Sequence, residues 1–329
     1  MKVFLAAAAL SLFAAAAPPP WQWSLPRGIA PPPVPPENPM SQARVELGRL
    51  LFYDADLSAD GTLACAGCHE QKRGFADGNA THLGVHGDPG RRNVPGLANV
   101  AWLPRLTYAD PSATTLEMQA LIPLVGERPV EMGMKGLEAQ IGRRLGANPC
   151  YRRMFRRAFP QGRGRIDLAG VAAALAAFQR TMVAFDSPND RFMAGDETAL
   201  SADALRGKAV FDRVGCAVCH GGRDFTDAAY HRVEAVGGRD PGLAEHTGQQ
   251  VDIGRFRTPS LRNVSITGPW WHDGSASRLE LAVRRHGKGA GLSARDMGLL
   301  LAFLDDLTDR TFLADPQFSR PDRACGKPL

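Results

Sequence analysis

Cys65-Ala66-Gly67-Cys68-His69 is the most informative stretch of this 329-residue chain. Its two thiols can add across the vinyl groups of a porphyrin, and the histidine directly after them can become the proximal ligand of the iron. The same pattern returns as CAVCH at residues 216–220. Zinc sites and thioredoxin-like thiol pairs also use two cysteines at this spacing, but neither requires the histidine that follows. The two copies therefore predict a protein that carries two covalently attached c-type haems.

The sequence around the first motif resembles the sequence around the second. Self-similarity at a period of roughly 150–165 residues indicates that one structural unit is repeated. The matching segments, first copy and then second, are residues 48–52 and 207–211, 75–77 and 225–227, 94–100 and 258–264, and 116–117 and 279–280. We therefore expect two copies of one haem-binding domain.

Helix signals and proline content divide the chain into segments. Residues 1–17 read as a secretory signal peptide, whose apolar run is too short to span a membrane as a helix, and residues 18–37 read as a proline-rich linker. Ser41 and Ser201 are N-cap residues that predict helix starts, and residues 166–185 predict a further helix. Because no sustained alternating strand pattern occurs, the expected class is mainly α, with haem domains at residues 38–195 and 196–329.

Charge and the remaining cysteines bear on partners and compartment. The formal charge of +5 would be nearly cancelled by the four propionates of two haems, so nucleic acid is not implied. A basic helix face at residues 151–159 is expected to be solvated, with docking of an acidic protein as the alternative. Cys150 and Cys325 are left after haem attachment, and an oxidising compartment would allow them to pair. Sequence alone leaves that pairing open.

The motifs resemble those of the bacterial di-haem cytochrome c peroxidases and their MauG-type relatives. Besides the haem motifs, the resemblance rests on RNVP at residues 92–95, PVEMG at 129–133, DSP at 186–188, PSLRNV at 259–264 and WWHDG at 270–274. The spacing around Tyr108 and residues 126–129 is similar to that of the MbnH branch, which is found with methanobactin genes. The family implies two cytochrome c-like domains, one haem open to peroxide and a second haem with two protein ligands.

The resemblance implies roles around the first haem, which Cys65, Cys68 and His69 would bind. Gln119 and Glu131 match the distal-pocket glutamine and glutamate of the family, so Gln119 would orient peroxide and Glu131 would act as acid/base. A lone glutamate is otherwise a solvated helix residue. Tyr108 takes the place of the family's electron-carrying tryptophan, and its alternative is a packed core aromatic.

The second haem would be bound by Cys216, Cys219 and His220, with His286 as the other iron ligand. The family has methionine at this position in peroxidases and tyrosine in MauG-type enzymes, so His286 is a departure. Methionine ligation raises a haem potential, whereas two imidazoles should leave it lower. The alternative is that His286 is a surface histidine.

By resemblance, one calcium ion is expected between the domains. Its ligands would be the Asn93 side chain and the carbonyl oxygens of Thr267 and Pro269, which are hard oxygen donors. In some family members a loop histidine closes the first haem. His82 and His86 do not align with that position, and both are expected to be solvent-exposed.

These expectations describe a periplasmic di-haem oxidoreductase that reacts with hydrogen peroxide. Its electrons would come from a small cytochrome c or cupredoxin, or from side chains of a partner protein that it oxidises. His286 and the MbnH-like spacing favour the partner protein. The alternative of another class is a non-catalytic electron carrier in which both irons are capped.

Overall fold

The computed structural model describes residues 21–233 and 240–329, and the expected signal peptide lies outside them. Two short antiparallel pairs are formed by the strands β1 (Tyr230–Arg232) with β2 (Arg255–Arg257), and β3 (Arg323–Ala324) with β4 (Lys327–Pro328). The α-helices are α1 Gln42–Tyr53, α2 Cys65–Cys68, α3 Leu116–Val125, α4 Glu138–Ala147, α5 Pro149–Ala158, α6 Leu168–Arg180, α7 Pro188–Met193, α8 Ala202–Arg213, α9 Ala244–Thr247, α10 Leu279–Arg285, α11 Ala294–Asp305 and α12 Arg310–Ala314. The expectation of a mainly helical fold is confirmed.

Local signals explain where several helices begin. The Ser41 hydroxyl accepts from the Arg44 amide at the start of α1, and Ser201 does the same at the start of α8, as the sequence predicts. The helix predicted over residues 166–185 is shorter, because α6 ends at Arg180 and the chain then becomes extended. Within the described residues, no helix is long and apolar enough to cross a membrane.

Each half of the molecule contains a pair of helices that cross closely at a glycine. A methyl group built at Gly48 of α1 would overlap the Ala174 carbonyl of α6 and lie 2.9 Å from the Phe178 Cβ atom. At Gly207 of α8, the same methyl group would overlap the Leu299 carbonyl of α11. Backbones can approach this closely only where no side chain intervenes. The two equivalent crossings support the internal repeat.

The C-terminal segment returns to the first half of the molecule. Phe312 and Phe318 are buried in the same apolar cluster as α1 and α6, and the Tyr53 hydroxyl donates to the Phe318 carbonyl at 2.6 Å. Cys150 and Cys325 form a disulfide with their Cα atoms 5.3 Å apart. The last residues of the chain therefore pack with the first haem unit, and the division expected between residues 195 and 196 stays a prediction.

The basic helix face lies on α5. Arg152, Arg153, Arg156 and Arg157 are exposed, whereas Tyr151 is buried against the first core. This arrangement matches the expected solvated face.

Candidate active site

One cavity of about 780 Å³ lies between the two halves, and both haem motifs line it. All of the residues predicted for the site contribute to its wall: Cys65, Cys68, His69, Asn93, Tyr108, Gln119, Glu131, Cys216, Cys219, His220, Thr267, Pro269 and His286. The two haem motifs are separated by about half of the chain. Folding therefore brings the whole predicted set around one space.

The two motif histidines are oriented in the same way. The Nδ1 atom of His69 lies 2.6 Å from the Phe75 carbonyl oxygen, and Nδ1 of His220 lies 3.2 Å from the Phe225 carbonyl oxygen. A carbonyl only accepts hydrogen bonds, so each Nδ1 must carry the proton and each Nε2 is left as the metal ligand. Phe75 and Phe225 both have positive φ angles, 64° and 50°, which turn these carbonyls toward the histidines.

Burial also keeps both imidazoles in the form that binds metal. Burial lowers the pKa of His69. It lowers the pKa of His220 to about 4, with the neighbouring His286 acting in the same direction. A neutral imidazole is the form in which histidine ligates iron.

His286 is placed opposite His220. It caps the C-terminus of α10, and its Nδ1 atom lies 2.8 Å from the Ala282 carbonyl oxygen, so its Nε2 is also free. The two ring centroids are 6.3 Å apart and the ring planes differ by 71°. Two imidazoles on opposite sides of one metal, each with a metal–nitrogen bond of about 2 Å, have centroids separated by roughly 6 Å. The centroid separation of the pair is close to this value, and ligation of one iron by both histidines stays a prediction.

The repeat position that matches His286 is occupied differently in the first half of the chain. Leu116 of α3 matches Leu279 of α10, and seven residues further on Pro123 takes the place of His286. Pro123 lines the cavity, and its ring offers no ligand atom. Pro123 is not among the residues predicted from the sequence, although extending the aligned repeat by seven residues identifies it. At this repeat position the second site therefore has a histidine and the first site has none.

Gln119 and Glu131 reach the cavity from different elements. Gln119 lies in the first turns of α3, whose N-terminus is capped by Thr115. The Glu117–Arg180 ion pair, with 2.7 Å between the charged groups, ties α3 to the end of α6. Burial raises the pKa of Glu131, while the nearby His82 lowers it. Glu131 is therefore a half-buried carboxyl on a wall of the cavity, as an acid/base residue needs to be.

The expectation of a solvent-exposed loop histidine was wrong for His82. Its side chain lines the cavity and is only 26% exposed, because its Nδ1 atom lies 2.9 Å from the carboxylate of buried Asp77. His86, by contrast, is exposed. The loop is rich in glycine and holds both histidines, so its sequence gave no sign that one of them turns inward.

Tyr108 lies on the cavity wall beside an unusual arginine. Burial raises the Tyr108 pKa. Its carbonyl oxygen accepts from the amide of Arg257, which is 3% exposed. The Arg257 guanidinium donates to the carbonyl oxygens of Thr107 and Thr258, and in the described parts of the chain it pairs with no carboxylate. A buried cation normally needs a countercharge, and the propionates of haem would supply one. Sequence reasoning missed Arg257.

The three residues predicted to bind calcium lie around the same cavity. The side-chain nitrogen Nδ2 of Asn93 donates to the carbonyl oxygens of Asn79 and Ala80, at 2.9 and 3.2 Å. Its Oδ1 atom is therefore left to accept or to ligate. The calcium site stays a prediction.

Comparison with known proteins connects this site to a family. The sequence model described as di-haem cytochrome c peroxidase matches residues 42–198. The methylamine utilization protein MauG of Methylorubrum extorquens is 36% identical over 291 residues, which cover 84% of this chain and 81% of the relative. The cytochrome c551 peroxidase of Pseudomonas aeruginosa is 32% identical over 284 residues, covering 83% of this chain and 81% of the relative.

A solved structure extends the likeness to three dimensions. It is described as a MauG-like protein associated with microbial copper homeostasis, and it superimposes with a TM-score of 0.86 at 37% identity. The match covers 92% of this chain and 100% of that protein. The chain belongs to the di-haem cytochrome c peroxidase and MauG family of haem c oxidoreductases, whose redox activity is related to peroxide.

Proposed function

We propose that the enzyme is exported to the periplasm and uses hydrogen peroxide to oxidise side chains of a partner protein. The observation that carries this proposal is the His220–His286 pair. Ligation by two imidazoles leaves a haem potential lower than ligation by methionine. A site of low potential is a poor acceptor for electrons from a high-potential donor and a better store for an oxidising equivalent.

The residues that would hold the cofactors follow from the cavity. Cys65, Cys68 and His69 would hold the first haem, and His286 would join the thiols and histidine of the second motif in holding the second. When bound, the two haems would supply the reaction with peroxide and the storage of an oxidising equivalent. Arg257 would provide a fixed positive charge for the propionates.

The protein's own residues handle protons and orientation. Reducing peroxide to two waters takes two electrons and two protons. The leaving oxygen departs as water only if it carries two protons, so the proton on the other oxygen must be transferred to it as the O–O bond breaks. We assign this transfer to the Glu131 carboxylate, which accepts the proton and returns it to the leaving oxygen. The Gln119 amide orients the peroxide by a hydrogen bond. Tyr108, which lines the same cavity as both motifs, is assigned the relay of electrons.

Other features support export and a calcium site. The apolar run at residues 3–17 and the Cys150–Cys325 disulfide both suit an exported protein in an oxidising compartment. Asn93, Thr267 and Pro269 are proposed to bind one calcium ion through oxygen atoms.

The second candidate is a peroxidase that draws electrons from a small cytochrome c or cupredoxin. It is favoured by the relatives that are named cytochrome c peroxidases, at 30–36% identity. A non-catalytic carrier would require a side-chain ligand on both irons, and Pro123 occupies the corresponding position at the first site.

One experiment separates the two enzyme candidates. The holoenzyme is mixed with peroxide and either a reduced cytochrome c or cupredoxin, or an exported protein encoded beside its gene. We expect slow oxidation of the small donors and gain of oxygen by an aromatic side chain of the partner, detected by mass spectrometry. Rapid, stoichiometric oxidation of a small donor, with no change in the mass of the partner, would establish the second candidate instead.

A further inference from the structure

The loop that carries His82 is fastened to the segment that carries Glu131. The Val85 amide donates to the Glu131 carbonyl oxygen at 2.7 Å. A methyl group built at Gly84 would overlap the Val130 carbonyl oxygen and lie 3.2 Å from the Glu131 Cα atom. The two segments therefore contact each other at this point through their backbones. The loop is closed on itself by the Gly90 amide, which donates to the His82 carbonyl oxygen at 2.7 Å. His82 is therefore held beside Glu131 by main-chain contacts.

The His82 imidazole is held in one orientation. A carboxylate only accepts hydrogen bonds, so Nδ1 of His82 donates to the Asp77 Oδ2 atom at 2.9 Å and Nε2 is left free. The Asp77 side chain is 1% exposed, and the backbone amide and the side chain of Asn79 donate to its two oxygens. A buried carboxylate behind an imidazole fixes its tautomer and its direction.

The His82 side chain contacts both the cavity and solvent. It lines the cavity and keeps 26% of its surface exposed, and the half-buried Glu131 lines the same cavity. Among the described residues, the titratable groups that interact with His82 include Asp77 on its own loop, Glu131 on the neighbouring segment and His69 after α2. Asp77 is already bonded to Nδ1 and His69 is expected to bind iron, so Glu131 is the remaining partner of these three for Nε2.

We infer that His82, oriented by Asp77, relays protons between solvent and Glu131. Nε2 takes a proton from solvent and passes it, directly or through one water, to the Glu131 carboxylate. Glu131 in turn gives the proton that completes a water molecule. No electron moves in this transfer, and the imidazole returns to its neutral form. The inference rests on the proposed acid/base role of Glu131.

The test compares three variants of the holoenzyme: His82→Gln, Glu131→Gln and, as a matched control, His86→Gln on the exposed part of the same loop. The rates of reaction with peroxide and of cyanide binding are measured against pH, because hydrogen cyanide must also lose its proton to bind. We expect His82→Gln to slow both by about tenfold or more, short of the 10²–10⁴-fold typical for loss of the acid/base itself. Added imidazole should restore much of the rate, and His86→Gln should behave as the parent.

The pH profile supplies a second readout. Because the neighbouring His82 side chain lowers the Glu131 pKa, its removal should raise that pKa and move the acidic limb of the profile to higher pH. Rates and profile equal to those of His86→Gln would overturn the relay. Loss of a low-spin signal in the electron paramagnetic resonance spectrum of His82→Gln would also overturn it, because His82 would then be an iron ligand. If Glu131→Gln keeps the parent rate, the proposed function of Glu131 fails first.

Discussion

Replacing Gly207 with alanine tests whether the helix crossing holds the second haem unit together. The added methyl group would overlap the Leu299 carbonyl oxygen and lie 2.7 Å from its carbon and 2.9 Å from the Phe303 Cβ atom, where real contacts are essentially never shorter than 3.0 Å. The obstacle is backbone and cannot rotate away. α8 and α11 must therefore separate, which loosens the edge-to-face packing of Phe211 on Phe303 at 5.4 Å.

The expected cost can be built from two opposing effects. Overpacking a filled core costs about 1–3 kcal/mol, and a rigid obstacle places this site at the upper end. Alanine regains about 1 kcal/mol over glycine in a helix interior. We therefore expect Gly207→Ala to lower the free energy of unfolding by about 2 kcal/mol. Gly48→Ala at the equivalent crossing of α1 and α6 should cost a similar amount.

The assay is urea unfolding of the holoprotein, followed by circular dichroism of the helices. Gly298→Ala on α11 is the matched control, since nothing lies within 4 Å of a methyl group built there, and it should be neutral or stabilising by up to about 1 kcal/mol. If Gly207→Ala unfolds at the same urea concentration as Gly298→Ala, the close crossing is not a constraint and the reasoning is refuted.

Three further predictions concern the site and the tail. Glu131→Gln should lower kcat/KM for peroxide by about 10²–10⁴-fold. In the parent enzyme, activity should rise with pH through the Glu131 pKa, which burial raises, because the ionised carboxylate is the base. Activity that stays flat across this pH range would contradict the assignment. His286→Ala should change only the low-spin signal in the electron paramagnetic resonance spectrum, and an unchanged spectrum would remove His286 as a ligand. Replacing both Cys150 and Cys325 with serine should lower the free energy of unfolding by roughly 2–4 kcal/mol, measured by thermal unfolding under non-reducing conditions; an unchanged melting temperature would mean that the tail is held by its apolar contacts alone.

The sequence alone was sufficient to predict features whose residues are close together in the chain or recur in both halves of it. Cys65, Cys68 and His69 lie within one turn, so their spacing already states which group they can hold. The repeat alignment placed Gly48 with Gly207 and Phe75 with Phe225, and the structure shows each pair in the same role. A residue that is required for the same physical reason in both halves appears at matching positions of the sequence repeat.

The tertiary structure alone decided the features that depend on neighbours distant in sequence or on the direction of a side chain. Arg257 looks like any arginine until its burial without a carboxylate partner among the described residues becomes visible. The tail could be assigned to the first unit only once Phe318 was seen in its core. His82 and His86 occupy one polar loop, and their sequence cannot tell which of them turns inward. That choice is made by the buried Asp77 carboxylate and by backbone packing at Gly84, which exist only after the chain has folded.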